Sequence, residues 1–120
     1  PLTIWRKEFR ANSGGAGEFR GGLGQIIEFA NAQGEDMLVS KMFERLQHPA
    51  RGRNGGKDGA KAKLYLSDGT ALTGMGRDTI PAGVHLILET AGGGGRGHPA
   101  QRASTMQRMD EKNSLSDSKD

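Results

Sequence analysis

At 120 residues the chain fits one domain and leaves no room for two. Hydrophobic residues make up 33 % and glycine fills 20 positions, so the core is thin, and the isolated chain is expected to lean on a partner surface or a larger parent. The net charge of +3 is spread along the chain, which argues against a nucleic-acid groove, and the absence of cysteine excludes disulfides, thiolate metal sites and cysteine nucleophiles. No apolar run approaches the roughly 20 residues that span a bilayer, and no signal peptide is visible, so a cytoplasmic protein is expected. The start at Pro1, directly in a strand-like run, suits a piece of a longer chain.

Leu2 to Phe9 alternates and carries Ile4 and Trp5, which predicts a strand. Asn12-Ser13-Gly14-Gly15-Ala16-Gly17 and Arg20-Gly21-Gly22-Leu23-Gly24 are too rich in glycine for helix or strand and read as a loop. Gln25 to Ala32 is a second strand, and the turn residues lie in Asn31 to Asp36. Met37 to Phe43 is a third strand, with one turn of helix as the alternative. A second loop, rich in Gly, Arg and Lys, runs from Pro49 to Gly59. Ala62 to Ser67 and Thr70 to Thr73 flank Ser67-Asp68-Gly69, and Asp-Gly between apolar runs signals a hairpin. Ile80-Pro81-Ala82-Gly83 is a turn. Val84 to Thr90 is the clearest strand, with Val84, Leu86 and Leu88 on one face and His85, Ile87 and Glu89 on the other.

Gly92 to Gly95 breaks that strand. Pro99 to Lys112 places Ala100, Ala103, Met106 and Met109 at helical spacing, a weak amphipathic helix. The expected fold is mainly β: a glycine-loop-rich β-sandwich or barrel-like module over residues 1–112 with one weak C-terminal helix, then a disordered tail over 113–120.

Short motifs taken singly are weak. Gly92 to Gly97 satisfies G-x-G-x-x-G, but His98-Pro99 follows where a Rossmann helix should start. Consecutive glycines there leave two readings open, a wide turn using positive φ or a nest of backbone N–H groups for an anion. Gly55-Gly56-Lys57 ends like a P-loop, but Arg51 and Asp58 stand where glycine and Ser or Thr are required. Arg20-Gly21-Gly22 and Arg51-Gly52-Arg53 each occur once, without the long tracts of RGG-type RNA binders. His48, His85 and His98 share no metal-ligand spacing, so no metal site is expected. His85 falls beside Glu89 on one strand face and reads as a partly solvated histidine. Glu28, Glu44 and Glu89 are possible acid–base groups that equally fit an exposed strand face.

The order of the loops says more. Asn12-Ser13-Gly14-Gly15-Ala16-Gly17-Glu18-Phe19-Arg20-Gly21-Gly22-Leu23-Gly24-Gln25 resembles the D-S-G-G-x-G-x-x-R-G-G-x-G block of the hydantoinase B/oxoprolinase family, the N-methylhydantoinase B-type subunits. Met42-Phe43-Glu44-Arg45 is similar to its short apolar-acidic-Arg element, and Arg51-Gly52 through Gly59 to its G-x-x-G-G-x-x-G loop. Ile80-Pro81-Ala82-Gly83 resembles its L-P-x-G turn, and Thr90 through Pro99 its T-P-G-G-G-G-x-G-D-P block, with Gln101-Arg102 following. The chain departs from the pattern at Asn12 (usually Asp), Ala91 (usually Pro) and His98 (usually Asp).

The resemblance covers the C-terminal end of a much larger subunit. It implies ATP-dependent opening of a small cyclic amide, a hydantoin or 5-oxoproline, with ketone carboxylation in some relatives. A hydantoinase A-type subunit or domain would bind ATP and Mg and phosphorylate the substrate carbonyl, and the B-type part would complete the chemistry. This chain itself is expected to bind no cofactor and to need that partner or the remainder of the B subunit. Asn12, Ser13, Gly14, Gly15, Arg20, Arg45, Lys57, Gly92, Gly93, Gly94 and Gly95 fall in the matching blocks and are the substrate- or phosphate-proximal candidates. Catalytic residues are not identified. A non-catalytic assembly module of a multi-subunit hydrolase or carboxylase is the alternative, and nucleic-acid binding is the second.

Overall fold

Alternating side chains along Leu2–Phe9 and Gln25–Asn31 pair these runs as antiparallel strands β1 and β2. The computed structural model describes residues 2–42, 46–73 and 75–113. Within them follow β3 (Met37–Met42), β4 (Lys63–Leu66), β5 (Met75–Ile80), β6 (Leu86–Glu89), a 3-10 turn (Pro99–Gln101) and helix α1 (Ser104–Lys112). One antiparallel sheet has the order β1-β2-β6-β4, and β3 pairs with β5 in a second. The fold is thus mainly β, and both sheets stay open rather than closing into a barrel. No helix among the described residues is long and apolar enough to cross a membrane.

Register places the core. Leu64 faces Leu88, and Leu66 and Phe29 face Leu86, so one face of the large sheet is apolar. Leu64, Leu66 and Leu86 pack with Ile80 of β5, and Met37, Val39, Leu72 and Val84 close around them. Each fully buried Leu or Ile contributes about 1.5–3 kcal/mol, and only four such residues form the cluster. The opposite face carries Arg6, Glu28, Ile87 and Tyr65 in one row across four strands.

Two expectations are corrected in the second half. Thr70 to Thr73 forms no strand: Ala71 bridges Tyr65, Leu66 N–H donates to the Thr70 carbonyl, and Gly69 takes φ +94° to close the turn. The sixth strand is β5, hidden in the sequence because Met75-Gly76-Arg77-Asp78-Thr79-Ile80 buries only Ile80. Its Asp78 neutralises the buried Lys41 of β3, which explains how a charge enters this small interface. The run from Met37 is a strand, not a helical turn; Phe43, at its expected end, lies outside the described residues.

Beyond the ends of β2, β6 and β4 the ladder continues through three segments without regular structure, 13–24, 50–60 and 90–98. Gly15 N–H donates to Gly93 O (2.8 Å), Gly93 N–H to Gly22 O (2.8 Å), Gly95 N–H to Lys57 O (2.9 Å) and Lys57 N–H to Ala16 O (2.7 Å). The backbones lie so close that a side chain at Gly21 would run into the Gly93 carbonyl, and one at Gly95 into that of Ala16. Neither glycine has a positive φ; they are needed for close approach.

Helix α1 docks on this layer in an inverted sense. Ala100, Ala103, Met106 and Met109, expected to face the core, are all exposed, and Asp110 is the buried residue of the helix. The helix meets the layer through polar side-chain contacts. Two arginines hold the helix instead. Arg20 binds both Asp110 oxygens, Nε to Oδ2 at 2.7 Å and Nη2 to Oδ1 at 3.0 Å. Arg102 adds Nη2 to Oδ2 at 2.9 Å and Nη1 to the Glu18 carbonyl at 3.2 Å. The tail expected over 113–120 begins at Asn113, whose N–H caps α1 on Met109 O; residues 114–120 lie outside the described part.

Neighbouring glycines separate crowding from chain entropy. Gly21→Ala is expected to cost at least ~2 kcal/mol by overpacking. Gly22→Ala, with open space around its Cα, is expected to be neutral or to stabilise by about 0.4–1 kcal/mol. Denaturant melts of the two variants check this, and equal losses would remove close packing as the cause.

The Arg20 hydrogen bond holds the Asp110 carboxyl below its ordinary value, against a smaller opposing effect of burial. A lowered folded value means that the contact contributes fully above the unfolded value of about 3.9, and is lost as pH falls through the folded one. Helix α1 is therefore expected to detach in that acid window. Asp110→Asn should weaken docking by about 2–4 kcal/mol at neutral pH, because it strands two guanidiniums. Amide exchange over residues 104–112 reads both effects; unchanged protection in the variant would show that other contacts hold the helix.

Candidate functional site

The glycine layer brings the two most distinctive sequence blocks into contact. Ser13 is fully buried, with Oγ donating to Arg10 O at 2.5 Å and accepting Gly24 N–H at 2.8 Å. Its carbonyl takes Ala60 N–H, and Gly92 packs against it. Asn12, exposed beside it, sits at φ 61°, a conformation that asparagine tolerates better than most residues. Gly14 lies against Gly21 and the Arg20 side chain.

Both readings of Gly92 to Gly95 change here. None of the four has a positive φ, so they form no wide turn; Gly97 supplies that conformation at +78°. Three of the four N–H groups are engaged within the protein. Gly92, Gly93 and Gly95 donate their N–H groups to Ala60, Gly22 and Lys57 carbonyls. Donors already engaged within the protein are not available to an oxyanion.

Two of the three basic candidates, Arg20 and Lys57, lie among the described residues. The Arg20 guanidinium is committed to Asp110 and the Gly21 carbonyl. The Lys57 ammonium is exposed, and no ion pair to it occurs among the described residues. Arg45, with Phe43 and Glu44, lies outside the described residues.

A basic residue that sequence reading passed over sits at the centre. Arg10, just past β1, is buried, and its Nη1 bridges the Lys61 and Thr90 carbonyls at 2.7 and 2.9 Å. Its Nε pairs with Glu89 Oε1 at 3.1 Å, while Tyr65 Oη donates to Glu89 Oε2 at 2.6 Å. That hydrogen bond, helped by burial, pushes the Tyr65 phenol above its ordinary value. The available signal was the strand period: Tyr65, Ile87 and Glu89 share a face, and an acid there needs a counter-charge.

The second cluster on this face is built on Glu28. Its Oε2 meets His85 Nδ1 at 2.7 Å, and its Oε1 lies 3.5 Å from Arg6 Nε. Trp5, at the β-bulge between Ile4 and Arg6, stacks on the His85 ring with centroids 5.0 Å apart. The expected neighbour of His85 was Glu89, but Glu28 of the adjacent strand β2 reaches it instead. Glu28 and Glu89 are therefore half-buried, paired acids rather than solvated ones. Trp5 and His85 line a cleft of about 240 Å³ between the sheet and the Pro81–Gly83 turn. Among the described residues no group of three His, Asp or Glu could hold a metal ion. The face offers an oriented imidazole beside a small cleft and, separately, a carboxylate locked between Arg10 and Tyr65.

Comparison with known proteins agrees with the loop order. The Hydantoinase B/oxoprolinase family model matches residues 1–99. 5-oxoprolinase 1 of Arabidopsis thaliana is 38% identical over 103 residues, 81% of this chain and 8% of that protein. An uncharacterized protein of Methanocaldococcus jannaschii is 36% identical over 105 residues, 85% of this chain and 18% of its own length. The crystal structure of the ATP-dependent caprolactamase from Pseudomonas jessenii superposes with a TM-score of 0.78 at 25% identity, covering 98% of this chain and 21% of that one. The chain thus spans under a quarter of the length of each. With both glycine blocks packed together and the match running through all six strands, the chain belongs to the hydantoinase B/oxoprolinase family.

Proposed function

We propose that this chain serves as a module of an ATP-dependent hydrolase that opens small cyclic amides, and that it does not act alone. Two similar proteins are named for lactams, a caprolactamase and a 5-oxoprolinase. The observation that carries the reading is the engagement of Gly92, Gly93 and Gly95 amides, Ser13 and Arg20 inside the module. The matching blocks hold a rigid glycine layer together instead of displaying donors. In this reading the layer fixes the position of neighbouring parts of the enzyme. An A-type partner holds ATP and Mg and activates the substrate carbonyl. Lys57, exposed on the layer, faces an anion at that junction. Substrate-proximal roles for Asn12, Gly14, Gly15, Gly94 and Arg45 remain part of the proposal.

A non-catalytic assembly role is the second reading. Its support is the outer strand β1, where Leu2, Ile4, Trp5 and Phe9 are each more than 60% exposed. Such a patch on a sheet edge invites a partner.

ADP release separates the two. The chain is mixed with an A-type partner, the remainder of a B-type subunit, MgATP and, in turn, 5-oxoproline, hydantoin and caprolactam. The expected result is release that needs one cyclic amide and falls at least roughly tenfold without this chain, about 1.4 kcal/mol in barrier height. Release that is the same without the chain, while the complex still forms with it, would leave the assembly role. In the working complex Arg20→Ala is expected to free α1, seen as fast amide exchange over residues 104–112. Lost turnover with α1 still docked would put Arg20 at the substrate instead.

A further inference from the structure

The cleft beside Trp5 has no role in the scheme above. Its walls are largely apolar, from Trp5, Ala30, Met37, Ile80 and Val84, and its 240 Å³ suits one small ring rather than a nucleotide. His85 and Glu35 are the ionisable side chains of its lining. A carboxylate only accepts hydrogen bonds, so Nδ1–H donates to Glu28, and in the neutral imidazole Nε2 is the acceptor. Trp5 stacking fixes the plane of the imidazole from the side. At the rim, Thr3 and Asn31 are polar and the exposed Glu35 repels anions.

We propose that this cleft binds a small uncharged heterocycle carrying a ring N–H, which it donates to His85 Nε2 while the ring lies against Trp5. The inference deepens the cyclic-amide reading by placing a contact for the ring on this module, and by preferring neutral rings over acidic ones. His85 acts here as a binding residue.

Trp5 is the single tryptophan of the chain, so its emission reports this wall alone. The chain is titrated with caprolactam, hydantoin, N-methylcaprolactam and 5-oxoproline, without ATP or partner. Caprolactam and hydantoin are expected to change the emission saturably. N-methylcaprolactam, lacking the donor, and 5-oxoproline, carrying a carboxylate, are expected to bind at least roughly tenfold more weakly. His85→Phe keeps a ring for Trp5 to stack on and should lose binding by a similar factor. In the unmodified chain the Nε2 resonance of ¹⁵N-labelled His85 should move with added caprolactam, a readout that needs no variant. No saturable change with any ring, equal binding of N-methylcaprolactam, or a stationary Nε2 resonance each overturns the proposal. Because no turnover is read, an inert cleft alongside lactam-dependent ADP release sinks only this inference. A binding cleft without such release sinks only the hydrolase module.

Discussion

Backbone-to-backbone contact without side chains is the constraint on which this structure depends. Three segments that lead into or out of β2, β4 and β6 approach until Cβ atoms no longer fit between them. Their amides and carbonyls then satisfy one another across segments, as strands do in a sheet. The thin apolar core follows from this choice. A chain that gives so many positions to glycine has few left for leucine, and polar closure takes over part of what burial does elsewhere.

The same layer decides where charge can sit. A backbone surface offers carbonyls, and carbonyls attract guanidiniums. Arg10 binds the carbonyls of Lys61 and Thr90, Arg20 that of Gly21, and Arg102 that of Glu18. Each of these arginines also needs an acid, and Glu89 and Asp110 supply it. Family blocks that pair glycine with arginine therefore have an internal explanation before any ligand is invoked.

Much of the fold was legible in the sequence. Period-two alternation located β1, β2 and β6, and Asp68-Gly69 located the turn after β4, because these depend on neighbours a few residues apart. β5 was hidden: its strand character comes from pairing with β3, not from its own Met-Gly-Arg-Asp-Thr run. The polarity of α1 was misread for a related reason. Helical spacing of Met106 and Met109 is a local fact, but which face is buried depends on a surface assembled from Arg20 and Gly21, 80 or more positions away. The glycine blocks singled out in the sequence do pack against one another. The sequence reading missed Arg10, whose partners Lys61, Glu89 and Thr90 are distant in the chain.

Docking by ions rather than by oil has a further consequence for α1. When an ordinary amphipathic helix lets go, it bares a greasy stripe and the protein becomes sticky. Here Met106 and Met109 face water while the helix is docked, and letting go parts Asp110 from Arg20 and Arg102. Release of the helix by acid is therefore expected to bare charge and backbone rather than a new apolar stripe, and to leave the protein no stickier than before.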